Sequence, residues 1–157
     1  MNKLTIILFC LLYISCTKEI VITEEELKQD LLYTKNDVKP FSGACNVLFN
    51  DTNLLKEQFN FKDGALDGIS CSYFKHGDLK WRGEYKEGKM SGKWEFWDKD
   101  GFKYCETYFK DDLYYGSYLS WHTNGQTKES GQYINSKKTG KWTVYDEQGI
   151  VISEYTY

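Results

Sequence analysis

The sequence predicts an all-β protein, an elongated single-layer twisted sheet in which 24-residue hairpin repeats stack as an antiparallel meander. Glycine recurs at a 24-residue step in two series, and aromatic residues recur at the same step in two more. Aromatics make up 17% of the 157 residues and proline occurs once, a composition that favours strands and a folded chain. Helices are disfavoured because each would contain regularly spaced glycines.

The glycines predict where the chain turns. In the first series, Asn53 is followed by Gly77, Gly101, Gly125 and Gly149. Residues 98–101 and 122–125 end on this position, which predicts tight turns with a left-handed final residue, and Asn is the usual substitute there. The second series is Gly68, Gly92, Gly116 and Gly140. It closes a second, looser turn, such as residues 86–92. Each unit is therefore predicted as strand, tight turn, strand, looser turn.

The aromatic series predict ladders across the sheet. One runs Phe49, Tyr73, Trp97, Trp121, Tyr145, and the other runs Phe61, Tyr85, Phe109, Tyr133, Tyr157. A single-layer sheet has no second layer to pack against, so these ladders are expected to supply the burial.

Simple hairpin pairing predicts that Trp97 pairs near Lys103 and shares a face with Phe109. It places Trp94 on the opposite face, beside its copies Tyr118 and Trp142. That ladder is the candidate binding surface, because exposed aromatic patches mark interaction sites. The alternative is that these rings only stabilise the sheet.

The N-terminus predicts export and lipid anchoring. Lys3 precedes an apolar stretch at residues 4–14, which is too short to span a bilayer and fits a cleaved signal. Residues 13–16, Tyr-Ile-Ser-Cys, resemble a bacterial lipobox, with Tyr in place of the usual Leu. Residues 1–15 are predicted as a lipoprotein signal peptide and Cys16 as the lipidated residue. An ordinary secretory signal is the alternative.

The N-terminal signal and the repeat together predict how the chain is organised. Residues 16–30 are predicted as a lipid-anchored tether. The capping-box spacing at Thr23–Glu26 allows a small helix there, and a solvated acidic segment is the alternative. Residues 31–157 form the repeat domain, and residues 31–33 are expected to open the sheet. The units lie near residues 43–67, 68–91, 92–115, 116–139 and 140–157.

Little in the sequence indicates catalysis. His76 and His122 lie in predicted turns at non-equivalent places, and no CxxC pair exists. Three cysteines remain outside the export segment, Cys45, Cys71 and Cys105, so at most one disulfide can form among them. A formal net charge of −3 disfavours nucleic acid as a partner. We expect no enzyme activity, cofactor or metal.

Two segments resemble the MORN repeat. Residues 82–94 read RGEYKEGKMSGKW and residues 130–142 read SGQYINSKKTGKW. The 24-residue step is similar to the bacterial variant of that family, and residues 39–43, KPFSG, resemble a segment that often opens such arrays. Residues 107–112 depart from the pattern. The resemblance implies an exported or lipid-anchored protein and supplies no active site.

Two functions are consistent with these features. The first is a non-enzymatic envelope lipoprotein that binds or scaffolds a protein or glycan through its repeat sheet. The alternative is an antitoxin-like or immunity lipoprotein that neutralises a cognate toxin. Either would be held at the membrane by its N-terminal lipid, in the outer membrane if the envelope is Gram-negative.

Overall fold

The computed structural model describes residues 18–22 and 40–157, which form one open sheet of twelve strands and contain no helix. The predicted all-β class and meander are confirmed. The strands are β1 (Lys18–Ile22), β2 (Gly43–Leu48), β3 (Leu55–Lys62), β4 (Ala65–Leu66), β5 (Gly68–Tyr73), β6 (Leu79–Lys86), β7 (Lys89–Trp97), β8 (Lys103–Lys110), β9 (Leu113–Trp121), β10 (Thr127–Ile134), β11 (Lys137–Tyr145) and β12 (Val151–Thr156).

The strands follow one another across the sheet almost in chain order, from β1 at one edge to β12 at the other, with short β4 paired to β3. All pairs are antiparallel except β1 with β2, which are parallel. β1 therefore places Lys18–Ile22, part of the predicted tether, within the sheet. The predicted signal peptide, Cys16, the possible helix at residues 23–26 and the opening segment at residues 31–33 lie outside the described residues.

The turns expected to be tight and those expected to be loose are interchanged in the structure. The turn expected to be looser is a two-residue hairpin, and both of its central residues have positive φ in every copy. The pairs are Asp63–Gly64, Glu87–Gly88, Asp111–Asp112 and Asn135–Ser136. Positive φ at both positions defines the type I′ turn, whose twist matches that of the flanking strands. The prediction failed because the unit glycines lie inside the following strands and not at the turn.

Three of the two-residue turns also bind a strand that precedes their own hairpin. The backbone N–H groups of Gly88, Asp112 and Ser136 donate to the carbonyl oxygens of Leu66, Met90 and Tyr114, respectively, at 2.8–3.1 Å. The Asp112 carboxylate accepts the Met90 N–H at 2.8 Å, and the Ser136 hydroxyl accepts the Tyr114 N–H at 3.1 Å. These reciprocal bonds offset the cost of a left-handed conformation where glycine is replaced.

Four of the other turns contain four residues and end on a left-handed glycine. Gly101 and Gly125 both have φ of 83°, so the prediction is confirmed for the glycines. It is wrong for Asn53, which is not among the residues with positive φ. In the turn at residues 98–101, the Asp98 carboxylate accepts the N–H groups of Asp100 and Phe102, each at 3.0 Å. Such local bonding explains why Asp is favoured at the start of the turn.

The prediction that Phe109 shares the face of Trp97 is wrong, whereas Trp94 does lie on the opposite face from Trp97, with Tyr118 and Trp142. Trp97 pairs with Lys103 as expected, but Phe96 pairs with Cys105, so Tyr104 is an extra residue in β8. This bulge inverts the alternation of β8 relative to β7. Trp94 therefore shares a face with Phe109, their ring centroids lying 5.7 Å apart. We call this side of the sheet the aromatic face, and the side of Trp97 the charged face.

A cluster of buried side chains lies at the N-terminal end of the aromatic face. Phe41, Cys45, Val47 and Phe59 form a buried cluster, which is packed against partly buried side chains from the neighbouring strands. β1 contributes Ile20 and Ile22 to this cluster, while Val21 points away from it and is exposed. The alternation explains why a short parallel strand adds to the stability of this end of the sheet.

The charged face carries a four-residue ion network. Lys93 lies 3.1 Å from Glu95 and 3.0 Å from Glu106, while Lys103 lies 3.1 Å and 2.8 Å from the same two carboxylates. Burial alone would raise the pKa of the Glu106 carboxyl, but hydrogen bonds from Lys103 and Lys93 outweigh it and the pKa is lowered. The Lys103 ammonium also lies 5.0 Å from the centroid of the Trp121 ring.

This network predicts a loss of stability in acid. Because the pKa of Glu106 is lowered on folding, its contribution is fully present above the ordinary value of 4.5 and is lost as the pH falls through the lower folded value. Glu106→Gln should lower the free energy of unfolding at neutral pH by about 1 kcal/mol. The difference from the original protein should shrink in acid, measured by urea denaturation.

Asp100→Asn is the matched control, since Asp100 contacts Lys99 in an exposed turn. It should change the free energy of unfolding by less than about 0.5 kcal/mol at either pH. Equal effects of the two substitutions would contradict a stabilising role of the network.

Candidate binding surface

The three aromatic residues predicted as a binding surface lie on the aromatic face, but two of them are buried. Trp94 is 3% exposed and Trp142 is 1% exposed. Trp94 contacts Trp81, Tyr85 and Phe109 at ring-centroid distances of 5.2–5.7 Å. The structure therefore places these two indoles in the packed interior of the face and not at its accessible surface.

Both indoles lie flat on a glycine of the preceding strand. A Cβ atom added to Gly83 would come within 2.1 Å of the Trp94 ring, and one added to Gly131 would come equally close to the Trp142 ring. Each indole N–H donates to a backbone carbonyl of that same strand, Trp94 to Glu84 at 3.2 Å and Trp142 to Gln132 at 3.1 Å. The glycine admits the ring, and the hydrogen bond fixes its orientation.

We call two residues that lie directly opposite each other on neighbouring strands a rung. The rung equivalent to Gly83–Trp94 contains other residues in other units. Thr107 lies directly opposite Tyr118, and the register of β3 with β5 places Ser70 opposite Phe59. Each rung thus pairs one large side chain with one small one. The four rungs are Phe59–Ser70, Gly83–Trp94, Thr107–Tyr118 and Gly131–Trp142, and the order of large and small is reversed in the first.

Size outweighs polarity at these small positions. The hydroxyl groups of Ser70 and Thr107 are buried and make no hydrogen bond among the described residues. A buried unpaired hydroxyl costs roughly 1–3 kcal/mol. Ser70 and Thr107 are tolerated because they leave room for the opposing ring. We call the pairing of one large and one small side chain on each of these rungs the large–small rule.

Tyr118 links the second half of the ladder. Its ring lies 5.5 Å from that of Trp142 and 5.9 Å from that of Tyr133. Burial raises the pKa of its hydroxyl, with nearby Cys105 as a further cause. Tyr118 is therefore a neutral phenol at physiological pH. On the C-terminal side, the Lys138 ammonium lies 3.8 Å from the Trp142 ring centroid and 2.8 Å from the Glu129 carboxylate.

The accessible apolar groups of the sheet lie elsewhere. On the charged face, Leu113 and Tyr115 of β9 and Ile134 of β10 are 42–51% exposed. Tyr133 pairs with Gly116, which places Ile134 opposite Tyr115. We call these three residues the β9–β10 patch. The Lys110 ammonium lies beside it, 5.4 Å from the Tyr115 ring centroid.

A second exposed set follows the outermost strand. Its members are Ile150, Val151, Ile152, Tyr155 and Tyr157, which are 47–64% exposed. No other strand of the described residues pairs with the outer side of β12. This exposed set was not predicted, because a sequence repeat does not distinguish an outer strand from an inner one.

The reactive side chains are dispersed. Cys45, Cys71 and Cys105 are free thiols, and burial raises the pKa of Cys45 to about 11. His76 stacks on Phe74, whereas His122 lies 2.9 Å from the Tyr145 carbonyl oxygen. Within residues 18–22 and 40–157, no three His, Cys, Asp or Glu side chains are grouped so that they could hold a metal ion.

Two shallow concavities lie on the surface of the described residues. One, of about 380 Å³, is lined by residues that include Ser42, Asn60 and Asp67. The other, of about 300 Å³, lies between Lys86, Lys89, Lys110 and their acidic neighbours. Neither contains a histidine or a cysteine.

Comparisons with protein-family models and with curated proteins found no match for this chain. Among its described residues, no helix is long and apolar enough to cross a membrane.

The large–small rule predicts that a steric clash can be relieved by a second substitution. Gly83→Thr should destabilise the protein by about 3 kcal/mol, because its Cβ cannot fit beneath the Trp94 ring. Adding Trp94→Tyr recreates the Thr107–Tyr118 combination and should recover at least half of that loss. Chemical denaturation of the two single variants and the double variant gives the coupling free energy.

Gly101→Ala is the control for glycine replacement itself. A Cβ there meets nothing within 4 Å, but φ is 83°. It should cost only about 1 kcal/mol and should gain nothing from Trp94→Tyr. Additive effects of Gly83→Thr and Trp94→Tyr would disprove the rule.

Proposed function

We propose that this protein is a non-enzymatic lipoprotein of the bacterial cell envelope, which binds or scaffolds a protein or glycan partner through its repeat sheet. The observation that carries the proposal is the β9–β10 patch, where three apolar side chains are exposed on one face. Isolated exposed apolar residues are common, but adjacent ones on a strand pair mark interaction surfaces. The resemblance of residues 82–94 and 130–142 to MORN repeats is consistent with a scaffold.

The chemistry of the patch suits a polar partner with apolar surface. Tyr115 offers one ring face, and Lys110 supplies a positive charge beside it. An aromatic ring next to a charged donor can stack on a sugar ring or pack against an apolar side chain with an acidic neighbour. The dispersed histidines and the high thiol pKa of Cys45 support a binding role over catalysis.

The lipid anchor is the second part of the proposal. Acylation of Cys16 would hold the protein at a membrane, because each buried methylene contributes about 0.8 kcal/mol. Its basis is the small-residue–Cys pair directly after the apolar stretch at residues 4–14. The alternative of an immunity-like lipoprotein shares this anchor and differs only in its partner.

Cys16→Ala should move the protein from the membrane fraction to the soluble fraction of the envelope. Removal of the acylated thiol removes the hydrophobic anchor, as fractionation and immunoblotting would detect. Cys10→Ala is the control, since Cys10 lies inside the apolar stretch and should leave the protein on the membrane. Membrane retention of the Cys16→Ala protein would disprove the anchor.

A pull-down from envelope extract with the lipid-free chain tests the binding role. The double variant Tyr115→Ser/Ile134→Ser should lose most of the captured partner, because it removes two of the three apolar groups of the patch. Phe102→Ser is the control, because Phe102 is equally exposed but lies outside the patch, immediately before β8. Melting temperatures should confirm that all three proteins fold.

The identity of the captured molecule separates the two functions. A structural envelope protein, or retention on a glycan column, supports the scaffold. Capture of a toxin encoded beside this gene would favour the immunity-like alternative. Equal capture by the original protein and by the double variant would show that the patch is not the binding surface.

A further inference from the structure

The outer side of β12 offers backbone hydrogen-bonding groups that no described strand uses. Gly140 and Tyr157 exchange both of their backbone hydrogen bonds, at 3.1 and 3.3 Å. In an antiparallel pair such residues alternate with residues whose N–H and C=O groups point the other way. Because Lys141 pairs with Thr156 and Thr143 with Glu154, the free groups of Thr156 and Glu154 point outward.

The repeat shows three times that this side of a unit accepts an antiparallel strand. Glu154 and Thr156 correspond, at the 24-residue step, to Ser130 and Gln132 of β10. There Ser130 pairs with Thr143 and Gln132 with Thr139 of the following strand. The equivalent sides of β6 and β8 are covered by β7 and β9 in the same way. The backbone of β12 therefore has the geometry that accepts a further strand.

The side chains of β12 lack the features that protect edge strands from pairing. Proteins protect such edges with lysine, proline, inward-pointing charges or bulges, and β12 contains one bulge, at Ile152. β12 has neither lysine nor proline, and its one charged residue, Glu154, is paired with Lys141 at 2.6 Å. Ile152 and Tyr155 are 64% and 53% exposed.

The large–small rule indicates what the added strand must carry. Tyr155 lies opposite Trp142. At the 24-residue step it is equivalent to Phe59, Gly83, Thr107 and Gly131. A bulky residue at this step is covered by a small one in the next strand, as Phe59 is by Ser70. The strand that pairs with β12 should therefore present a small side chain opposite Tyr155.

β12 itself meets this requirement. When two copies of β12 run antiparallel with their Glu154 residues opposite each other, Ser153 of one lies opposite Tyr155 of the other. The relation holds in both directions, because the arrangement has twofold symmetry. The outward groups of Glu154 then pair across the axis, and Thr156 lies opposite Ile152, the extra residue of a bulge in β12.

We propose that this protein forms a twofold dimer in which β12 of one copy pairs antiparallel with β12 of a second copy, so that the sheet continues from one chain into the next. The pairing uses one short strand from each chain, so the interface is smaller than standard protein interfaces and the dimer is expected to be weak. This association does not rest on the envelope function, and it uses residues outside the β9–β10 patch.

The charges at the axis make the register testable. The two Glu154 carboxylates face each other across the axis, and each is held by Lys141 of its own chain. Like charges directly opposite on paired strands are destabilising. Replacement of Glu154 by a neutral residue should therefore strengthen this dimer, whereas most other arrangements would gain nothing.

The experiment is sedimentation of the chain from Thr17 onward, which contains every described strand, over a concentration range from low micromolar to submillimolar. The original protein should show a monomer–dimer equilibrium. Ile152→Lys should raise the dissociation constant at least about tenfold, because it places a lysine on the paired edge. Ile69→Lys adds the same charge at another exposed isoleucine, outside both β12 and the β9–β10 patch, and should leave the constant within about twofold.

Two further variants test the backbone and the register. Thr156→Pro removes one outward N–H and leaves the bonds to β11 intact, so it should also weaken the dimer. Glu154→Gln should tighten it, while Glu147→Gln, in the exposed turn before β12, should not. A monomer at all concentrations, a dimer indifferent to Ile152→Lys and Thr156→Pro, or polymers larger than a dimer would overturn the proposal. Failure of Glu154→Gln to tighten the dimer would overturn the register.

Discussion

Each strand of a single-layer sheet has to bury its side chains against its own neighbours, because no second layer covers them. Here that requirement is met by pairing a large residue on one strand with a small one directly opposite, most closely where Trp94 lies on Gly83 and Trp142 on Gly131. The indole then covers the backbone of the adjacent strand, and the next aromatic ring packs against its edge. Burial therefore passes from strand to strand along the aromatic face.

The turns also connect each unit to its neighbour. Three of the two-residue turns form their own hairpin and also bind an earlier strand, as Asp112 does through both its N–H and its carboxylate. A unit is therefore held to the previous one by its turn as well as by its rings. Stability in such an array depends on interfaces between adjacent units more than on any distant contact.

Much of this fold could be predicted from the sequence. The 24-residue step gave the number of hairpins, the positive φ of Gly101 and the pairing of Trp97 with Lys103, since these depend on spacing and on local backbone sterics. The face of Phe109 could not be obtained in this way. It depends on one extra residue, Tyr104, and a bulge leaves no periodic signal.

The candidate surface was harder to predict for a related reason. Aromatic residues at Trp94, Tyr118 and Trp142 are equally compatible with an exposed platform and with a packed ladder. The distinguishing signal was the residue eleven places earlier, where glycine precedes each tryptophan and threonine precedes Tyr118. Similarly, the assignment of residues 16–30 to a tether followed from their composition, whereas β1 forms through pairing with β2.

The position of β1 has a consequence for how the protein would stand on a membrane. β1 begins at Lys18, two residues after Cys16, so an acyl chain on that cysteine would hold the first edge of the sheet at the lipid surface. With strands ~4.8 Å apart, β12 would lie roughly 50 Å farther along the sheet. Copies anchored in this way share one orientation and diffuse in two dimensions. Their outer strands would meet at a common height above the bilayer. The proposed pairing of β12 with β12, even if too weak to persist in dilute solution, would then form readily among neighbours in the same leaflet.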